Sequence, residues 1–199
     1  PPQPDPEKMR SLLTARFTEC DAELTLLGGC GGNLAGVLSG KTDPLQLLFP
    51  AGSSELVERL YQESPFARTL NALVEETIVQ SLADLEPQRP VKILEIGAGT
   101  GGTSSQILPR LSPERTEYVF TDVSELFTRK AKQKFNHYPF VRYGVLDIEQ
   151  DPALQGFATG QFDLILAANV VHATQDLRVT MDHIRQLLTP HGVVVLLEG

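Results

Sequence analysis

Several groups of residues in this sequence have the types and spacing that chemistry requires. The first is Val91 to Gly102, VKILEIGAGTGG, an apolar run that reaches Glu95 and then meets glycines at 97, 99, 101 and 102. Glycines so spaced let the backbone turn through positive φ and let a ligand approach where a Cβ would collide. Thr103 to Leu111 follow with helix-forming potential, so free N–H groups at their start would face whatever the loop holds. Next come two carboxylates: Asp122, some twenty residues beyond the loop, and Asp147, after another apolar run. The last group is His172 in FDLILAANVVHAT with Glu198 in VVVLLEG. An imidazole and a carboxylate are what general-base catalysis uses, the acid fixing the tautomer and stabilising the imidazolium.

Gly97, Gly99 and Gly102 satisfy G-x-G-x-x-G, which alone fits a dinucleotide site or a plain strand-to-helix turn. Glu95 discriminates. A carboxylate two residues before the first glycine repels a pyrophosphate, whereas a cofactor with a cationic amino-acid end and no phosphate would welcome it. S-adenosylmethionine is such a cofactor, so E-x-G-x-G-x-G reads as a methyltransferase loop. On this reading Asp122 takes both ribose hydroxyls; capping the next helix is its competing use, although Ser124 is the better cap. Asp147 accepts from the adenine amino group while its neighbours Leu146 and Ile148 sandwich the ring, with a surface turn as the alternative. Asn169 and His172 follow a strand end on the same crevice, although a histidine in so apolar a run also fits a satisfied core residue. His137, His183 and His191 fall at helix ends or turns and receive no function.

The elements that must position these residues follow from hydrophobic pattern. Short apolar runs at 91–96, 117–121, 140–144, 162–168 and 193–198 alternate with helical patterns near 103–111, 124–136 and 176–188. That alternation predicts a parallel sheet with helices on both faces and a ligand crevice at the carboxyl ends of the strands. Upstream, residues 1–8 hold four prolines and read as a linker. Met9 to Leu27 reads as a helix, with Leu12, Leu13, Phe17 and Leu24 at helical spacing, ended by Gly28, Gly29, Gly31 and Gly32. Residues 35–54 form a connector in which Asp43-Pro44 and Pro50 allow only short helical turns. Ser53 or Ser54 caps the next helix, with Glu55 and Glu58 in its first turn. Ser64-Pro65 interrupts it, and it resumes through Ala67, Leu70, Leu73, Val74, Ile78 and Leu82, an apolar stripe that needs a partner surface.

The 199 residues suffice for one sizeable core plus an appendage. A net charge of −8 argues against a nucleic-acid partner, since phosphate binding draws on clustered Lys and Arg. The basic run Arg129-Lys130-Ala131-Lys132-Gln133-Lys134 is a local exception, either a solvated helix face or a dock for an acidic carrier domain. Cys20 and Cys30 lack C-x-x-C spacing, which suits free thiols in a reducing compartment; with four scattered histidines, no transition-metal site is expected. No apolar run reaches membrane-spanning length. The chain opens PPQPDPEK, without Met, a basic start or an apolar segment, and so reads as a cytoplasmic piece of a longer polypeptide.

The segments EIGAGTGGTSSQILPRL, YVFTDVS, FVRYGVLDIEQDP and AANVVHAT, with DPLQLLFPAGSS and LYQESPFARTLNALV upstream, resemble the methyltransferase domains of modular polyketide synthases. The resemblance implies an α/β fold of the class I S-adenosylmethionine-dependent, Rossmann-like type. Residues 1–90 would be an N-terminal linker and helical lid, and 91–199 the cofactor-binding core. A complete sheet of that class carries two further strands after the fifth, so the core is expected to be C-terminally incomplete. The resemblance also implies a catalytic dyad of His172 and Glu198. Cofactor contacts would come from Glu95, Gly97, Gly99, Gly101, Asp122, Val123, Asp147, Ile148 and Asn169. Tyr61, Phe66 and Asn71 would be lid or substrate contacts, with ordinary helix packing as their alternative. The implied reaction moves a methyl group from S-adenosylmethionine, leaving S-adenosylhomocysteine, to the α-carbon of a β-ketoacyl thioester. That acyl chain would be held by phosphopantetheine on an acyl carrier protein, among neighbouring synthase domains in one polypeptide, with no nucleic acid, membrane or metal involved. A sister domain methylating a β-hydroxyl or enol oxygen, and a catalytically silent structural domain, are the alternatives.

Overall fold

The structure, a computed structural model, describes residues 5–83, 85, 86 and 89–199. The chain divides into two compact units, one ending at Thr69 and the other running from Leu70 to Gly199. The first is helical. Its helix α1 (Pro6–Arg16) starts on Asp5, whose carboxylate accepts the Glu7 N–H, with Pro6 at a position where a missing N–H is harmless. The proline count predicts a linker through residue 8; Asp5-Pro6 is instead a helix start, and residues 1–4 lie outside the described residues. After a 3₁₀ turn at Thr18–Cys20, α2 (Asp21–Leu38) runs through Gly28, Gly29, Gly31 and Gly32, which the sequence predicts to end it. Two of its glycines serve close approach: a Cβ on Gly28 would stand 2.9 Å from Arg10 Cδ, and one on Gly36 2.5 Å from Thr42 Oγ1. The helix stops at Gly40, φ +70°, where the Lys41 N–H closes on the Gly36 carbonyl at 2.8 Å.

The short α3 (Pro44–Leu48), capped by Asp43, agrees with the predicted connector. Before α4 (Glu55–Gln62) the two serines divide their work: Ser53 Oγ accepts the Glu55 N–H, while Ser54 Oγ donates to Glu58 at 2.5 Å. Helix α5 (Pro65–Ala83) opens after the predicted break, with Ser64 Oγ accepting the Ala67 N–H; its residues from Leu70 on belong to the second unit.

That second unit is a five-stranded parallel sheet in the order β3-β2-β1-β4-β5. Its strands are β1 (Val91–Ile96), β2 (Thr116–Asp122), β3 (Val141–Val145), β4 (Phe162–Ala168) and β5 (Leu188–Leu197). In the middle Ile93 pairs with Tyr118 on one side and Leu164 on the other. β5 starts at Leu188 rather than 193, because Leu188 already pairs with Phe162 ahead of a register shift. Alternation along β1 sorts the core. Val91 and Ile93 go to the face covered by α5, α6 (Gly102–Ile107) and α7 (Glu125–Lys134), where Ile78, Ile107, Phe120 and Phe135 join them. Leu94 and Ile96 go to the face covered by α8 (Leu177–Leu187), with Ile165, Ile184 and Leu187. The apolar stripe of α5 thus finds its partner surface: Val74 and Ile78 lie in the sheet core, within the compact unit that begins at Leu70. The chain leaves β1 in one direction and β4 in the other, the reversal of strand order at whose carboxyl ends sheets of this kind bind ligands. Among the described residues no helix is long and apolar enough to cross a membrane.

Candidate active site

The glycine loop joins β1 to α6, and its three positive-φ glycines do different things. Gly97 sits at φ +61° and Gly101 at φ +74°. A Cβ on Gly97 would run into the Val170 side chain, and one on Gly101 would lie 2.7 Å from the Phe135 ring. Gly99, at φ +55°, has nothing nearer than the Gly97 carbonyl oxygen at 4.0 Å, so its backbone lies open. Asp122, at the end of β2, props this loop: Oδ2 accepts the Gly99 N–H at 2.9 Å and Oδ1 the Ser124 N–H at 2.8 Å. The adjacent Val123 is 67% exposed.

Glu95 is placed otherwise than its motif predicts. Alternation puts it on the face of Val91 and Ile93, so its carboxylate points beneath the loop and is only 1% exposed. The Ser104 hydroxyl and the Tyr118 hydroxyl, the latter at 2.7 Å, both donate to Oε2. Burial pushes its pKa up to about 7; the two hydroxyl bonds pull against that shift, and the Asp122 charge adds to it. Glu95 therefore ties the start of α6 to β2 instead of facing a ligand directly. Burial also drives the Tyr118 hydroxyl well up, reinforced by the Glu95 carboxylate. Asn71 likewise is buried rather than a lid surface: its Oδ1 accepts the Thr103 hydroxyl at 3.0 Å, joining α5 to α6. Tyr61 and Phe66 are exposed on the helices of the first unit.

At the end of β3 the Asp147 backbone is clipped twice by Gln155, whose Oε1 accepts the Asp147 N–H and whose Nε2 donates to the Asp147 carbonyl, each at 2.8 Å. Asp147 Oδ1 accepts the Glu149 N–H at 3.0 Å. The side chains of Leu146 and Ile148 enter the core on the α8 face, so they do not stand open to sandwich a ring as the sequence predicts. His183 on α8 donates Nδ1–H to the Ile148 carbonyl at 2.8 Å. Gln155, Glu149 and His183 were not foreseeable as site residues, because no spacing rule links them to the strand ends.

At the end of β4, Asn169 adopts φ +57°, a left-handed conformation that asparagine tolerates better than most residues. Val170 then turns its side chain onto Gly97. The next three backbone N–H groups converge on Glu198, which directly follows β5. Glu198 Oε1 accepts Val171 N–H at 2.8 Å and Val170 N–H at 3.2 Å, and Oε2 accepts His172 N–H at 3.5 Å together with the His172 ring Nδ1–H. Burial pushes the Glu198 carboxyl up, but the bonds from the His172 ring and from the Val171, Val170 and His172 amides outweigh it and hold it below the usual carboxylate range. His172 is half exposed, and among the described residues its Nε2 makes no hydrogen bond. An imidazole held by one nitrogen and open at the other is arranged to move a proton.

Residues 94–194 match a family model described as a methyltransferase domain. The non-reducing polyketide synthase nvfA of Aspergillus novofumigatus is 40% identical over 181 residues, 89% of this chain and 8% of that protein. Polyketide synthase ThaG of Burkholderia thailandensis is 38% identical over 181 residues, 89% of this chain and 3% of its own length. Among solved structures, the CurJ carbon methyltransferase superposes with a TM-score of 0.92 at 48% identity, over 98% of this chain and 52% of that one. The CMeT domain of the citrinin polyketide synthase gives 0.90 at 34% identity, over 98% and 52%. The trans-methyltransferase CalH, solved in complex with SAH, gives 0.77 at 30% identity, over 96% and 52%. The chain spans 8% or less of those two curated relatives and 52% of these three solved chains. With a match from 94 to 194 covering more than half of it, the chain belongs to the methyltransferase-domain family, and its relatives there are polyketide synthases.

Proposed function

We propose that this chain methylates carbon, moving the methyl group of S-adenosylmethionine to the α-carbon of a β-ketoacyl chain. The acyl chain is a thioester on the phosphopantetheine arm of an acyl carrier protein, and the domain works among neighbouring domains of a cytoplasmic synthase. The observation that carries this reading is the His172–Glu198 pair, which sits beside the glycine loop through the contact of Val170 with Gly97. An α-carbon, unlike a nitrogen lone pair, must first lose a proton, and an oriented imidazole is the group that takes it.

The residues fit the cofactor. Gly99 leaves its backbone open to close approach, Gly97 and Gly101 shape the turn, and Glu95 secures it from below. Asp122, Val123, Asp147 and Asn169 stand at the ends of β2, β3 and β4, where they would hold the ribose and the base, while Ile148, its side chain in the core, could offer only its backbone. When bound, S-adenosylmethionine supplies a methyl group already activated by its sulfonium. His172 draws the α-proton through Nε2 and holds it as imidazolium. Glu198 accepts the Nδ1–H, which keeps Nε2 as the acceptor and stabilises the charge that develops on the ring. Tyr61 and Phe66, exposed apolar residues, are proposed as acyl or lid contacts.

A carrier-bound β-ketoacyl substrate incubated with trideuteromethyl donor tests this by mass spectrometry. Carbon methylation adds the labelled methyl group and removes one α-hydrogen. Methylation of the enol oxygen removes one α-hydrogen as well, so the product is then treated with mild acid. Label retained on carbon supports this reading, label lost with the enol ether assigns methylation to oxygen instead, and no heat on titration with S-adenosylhomocysteine would leave a silent domain.

A further inference from the structure

We infer that Glu149 is a positioning residue for His172, an inference that rests on the carbon-methylation reading. His172 lies on a short bridge, 170–176, between β4 and α8. Glu198 grips the front of that bridge through the amides of Val170, Val171 and His172. Its middle is closed by Thr174, which donates both its N–H, at 3.2 Å, and its hydroxyl, at 2.8 Å, to the Val171 carbonyl. The rear is gripped by Glu149, whose Oε1 accepts the Gln175 N–H from the turn after β3. The next residue, Asp176, caps α8 through the N–H groups of Arg178 and Val179 at 2.9 and 3.1 Å. The bridge that presents the imidazole is thus held at both ends by carboxylates from other elements.

Glu149 works from a firm platform. Its own N–H is bound by Asp147, the Asp147 backbone is clipped by Gln155, and the Ile148 carbonyl takes the His183 Nδ1–H from α8. The two strand-end turns, one carrying Asp147 and the other His172, therefore keep one register. A charge-assisted hydrogen bond to a carboxylate is among the stronger ones, and misplacing a reacting group by about 1 Å costs roughly 100-fold in rate.

The experiment compares E149A, E149D and E149Q with the parent protein. E149D keeps the charge but withdraws the carboxylate by one methylene; E149Q keeps an oxygen that accepts the same N–H. In cofactor-free protein, amide hydrogen exchange over 171–176 should quicken in E149A and E149D and stay at the parent rate in E149Q. In steady-state methyl transfer, E149A and E149D should lose roughly tenfold in kcat, a part of that misplacement penalty, with KM for S-adenosylmethionine within about twofold. E149Q should restore kcat. On an H172A background E149A should cost nothing further, since both changes act on one group. Parent-like exchange in E149A and E149D overturns the inference, as does an E149Q as slow as E149A, or a full tenfold loss on the H172A background. A parent that neither transfers methyl nor binds S-adenosylhomocysteine defeats the proposed function instead, and leaves the exchange result to decide the tether by itself.

Discussion

Glu95 and Glu198 are the same residue at the ends of two strands of one sheet, and their surroundings have made them opposites. Glu95 is shut beneath the glycine loop with two neutral hydroxyls for partners, so burial dominates and its pKa rises to about 7. Glu198 stands at the open end of β5 with three amides and an imidazole as donors, so hydrogen bonding dominates and its pKa falls. The first ties two buried elements together; the second orients the exposed imidazole of His172. Desolvation against donated hydrogen bonds, more than residue type, decides which of the two a strand-end carboxylate becomes.

The sharpest test of the open end is His172→Ala. Turnover should fall by roughly 10²–10⁴, the range for a lost general base, while calorimetry finds S-adenosylhomocysteine bound as in the parent. A variant as fast as the parent would erase the contrast. At the loop, Gly101→Val should destabilise the fold by about 2–5 kcal/mol in urea unfolding, the sum of a left-handed penalty and overpacking against Phe135. Gly99→Val should lose only about 1–2 kcal/mol of stability, since its surroundings are open, yet should abolish cofactor binding. Equal stability losses at the two positions would show that they do not divide packing from binding in this way.

The buried end is tested by pH. Because the folded pKa of Glu95, about 7, lies above the ordinary 4.5, the folded protein holds this proton more tightly than the unfolded chain does. Its contribution is whole below pH 4.5 and is lost as the pH rises through about 7. Glu95→Gln should therefore match the parent near pH 5 and gain on it above pH 8, by on the order of 3 kcal/mol. Parallel stability curves for the two proteins would place the carboxylate in water after all. Glu198 has the reverse sign and the smallest effect. Its contribution is present above the ordinary carboxylate range and fades as acid carries the pH below it, and in Glu198→Ala that acid-side fading should be absent from thermal melts.

Much of the sheet was legible because its strands are continuous apolar runs broken by glycine or aspartate: β1 and β4 fall at the predicted residues, β2 and β3 differ by one position at each end, and only β5 starts well before its predicted residue. The adjacency of His172 and Glu198 was legible for the same reason, since strands four and five of such a sheet are neighbours. Glu95 was misjudged by arguing from its motif while passing over its parity with Val91 and Ile93, which already assigned it to the core face. Gly28, Gly29, Gly31 and Gly32 misled because α2 runs on through them, Gly28 making room for Arg10, while the left-handed φ that ends the helix comes later, at Gly40; sequence does not distinguish those uses. Glu149, Gln155 and His183 act on single backbone groups brought close by the fold, a relation with no period to detect.

The meeting of Val170 with Gly97 has a consequence for anyone who would re-engineer this domain. One small volume is shared by the cofactor turn and the segment that leads to the imidazole, so neither can be enlarged while the other keeps its size. A larger residue at Gly97 will need a smaller one at Val170 to make room for it, and a library that enlarges Gly97 alone will sample mostly broken proteins.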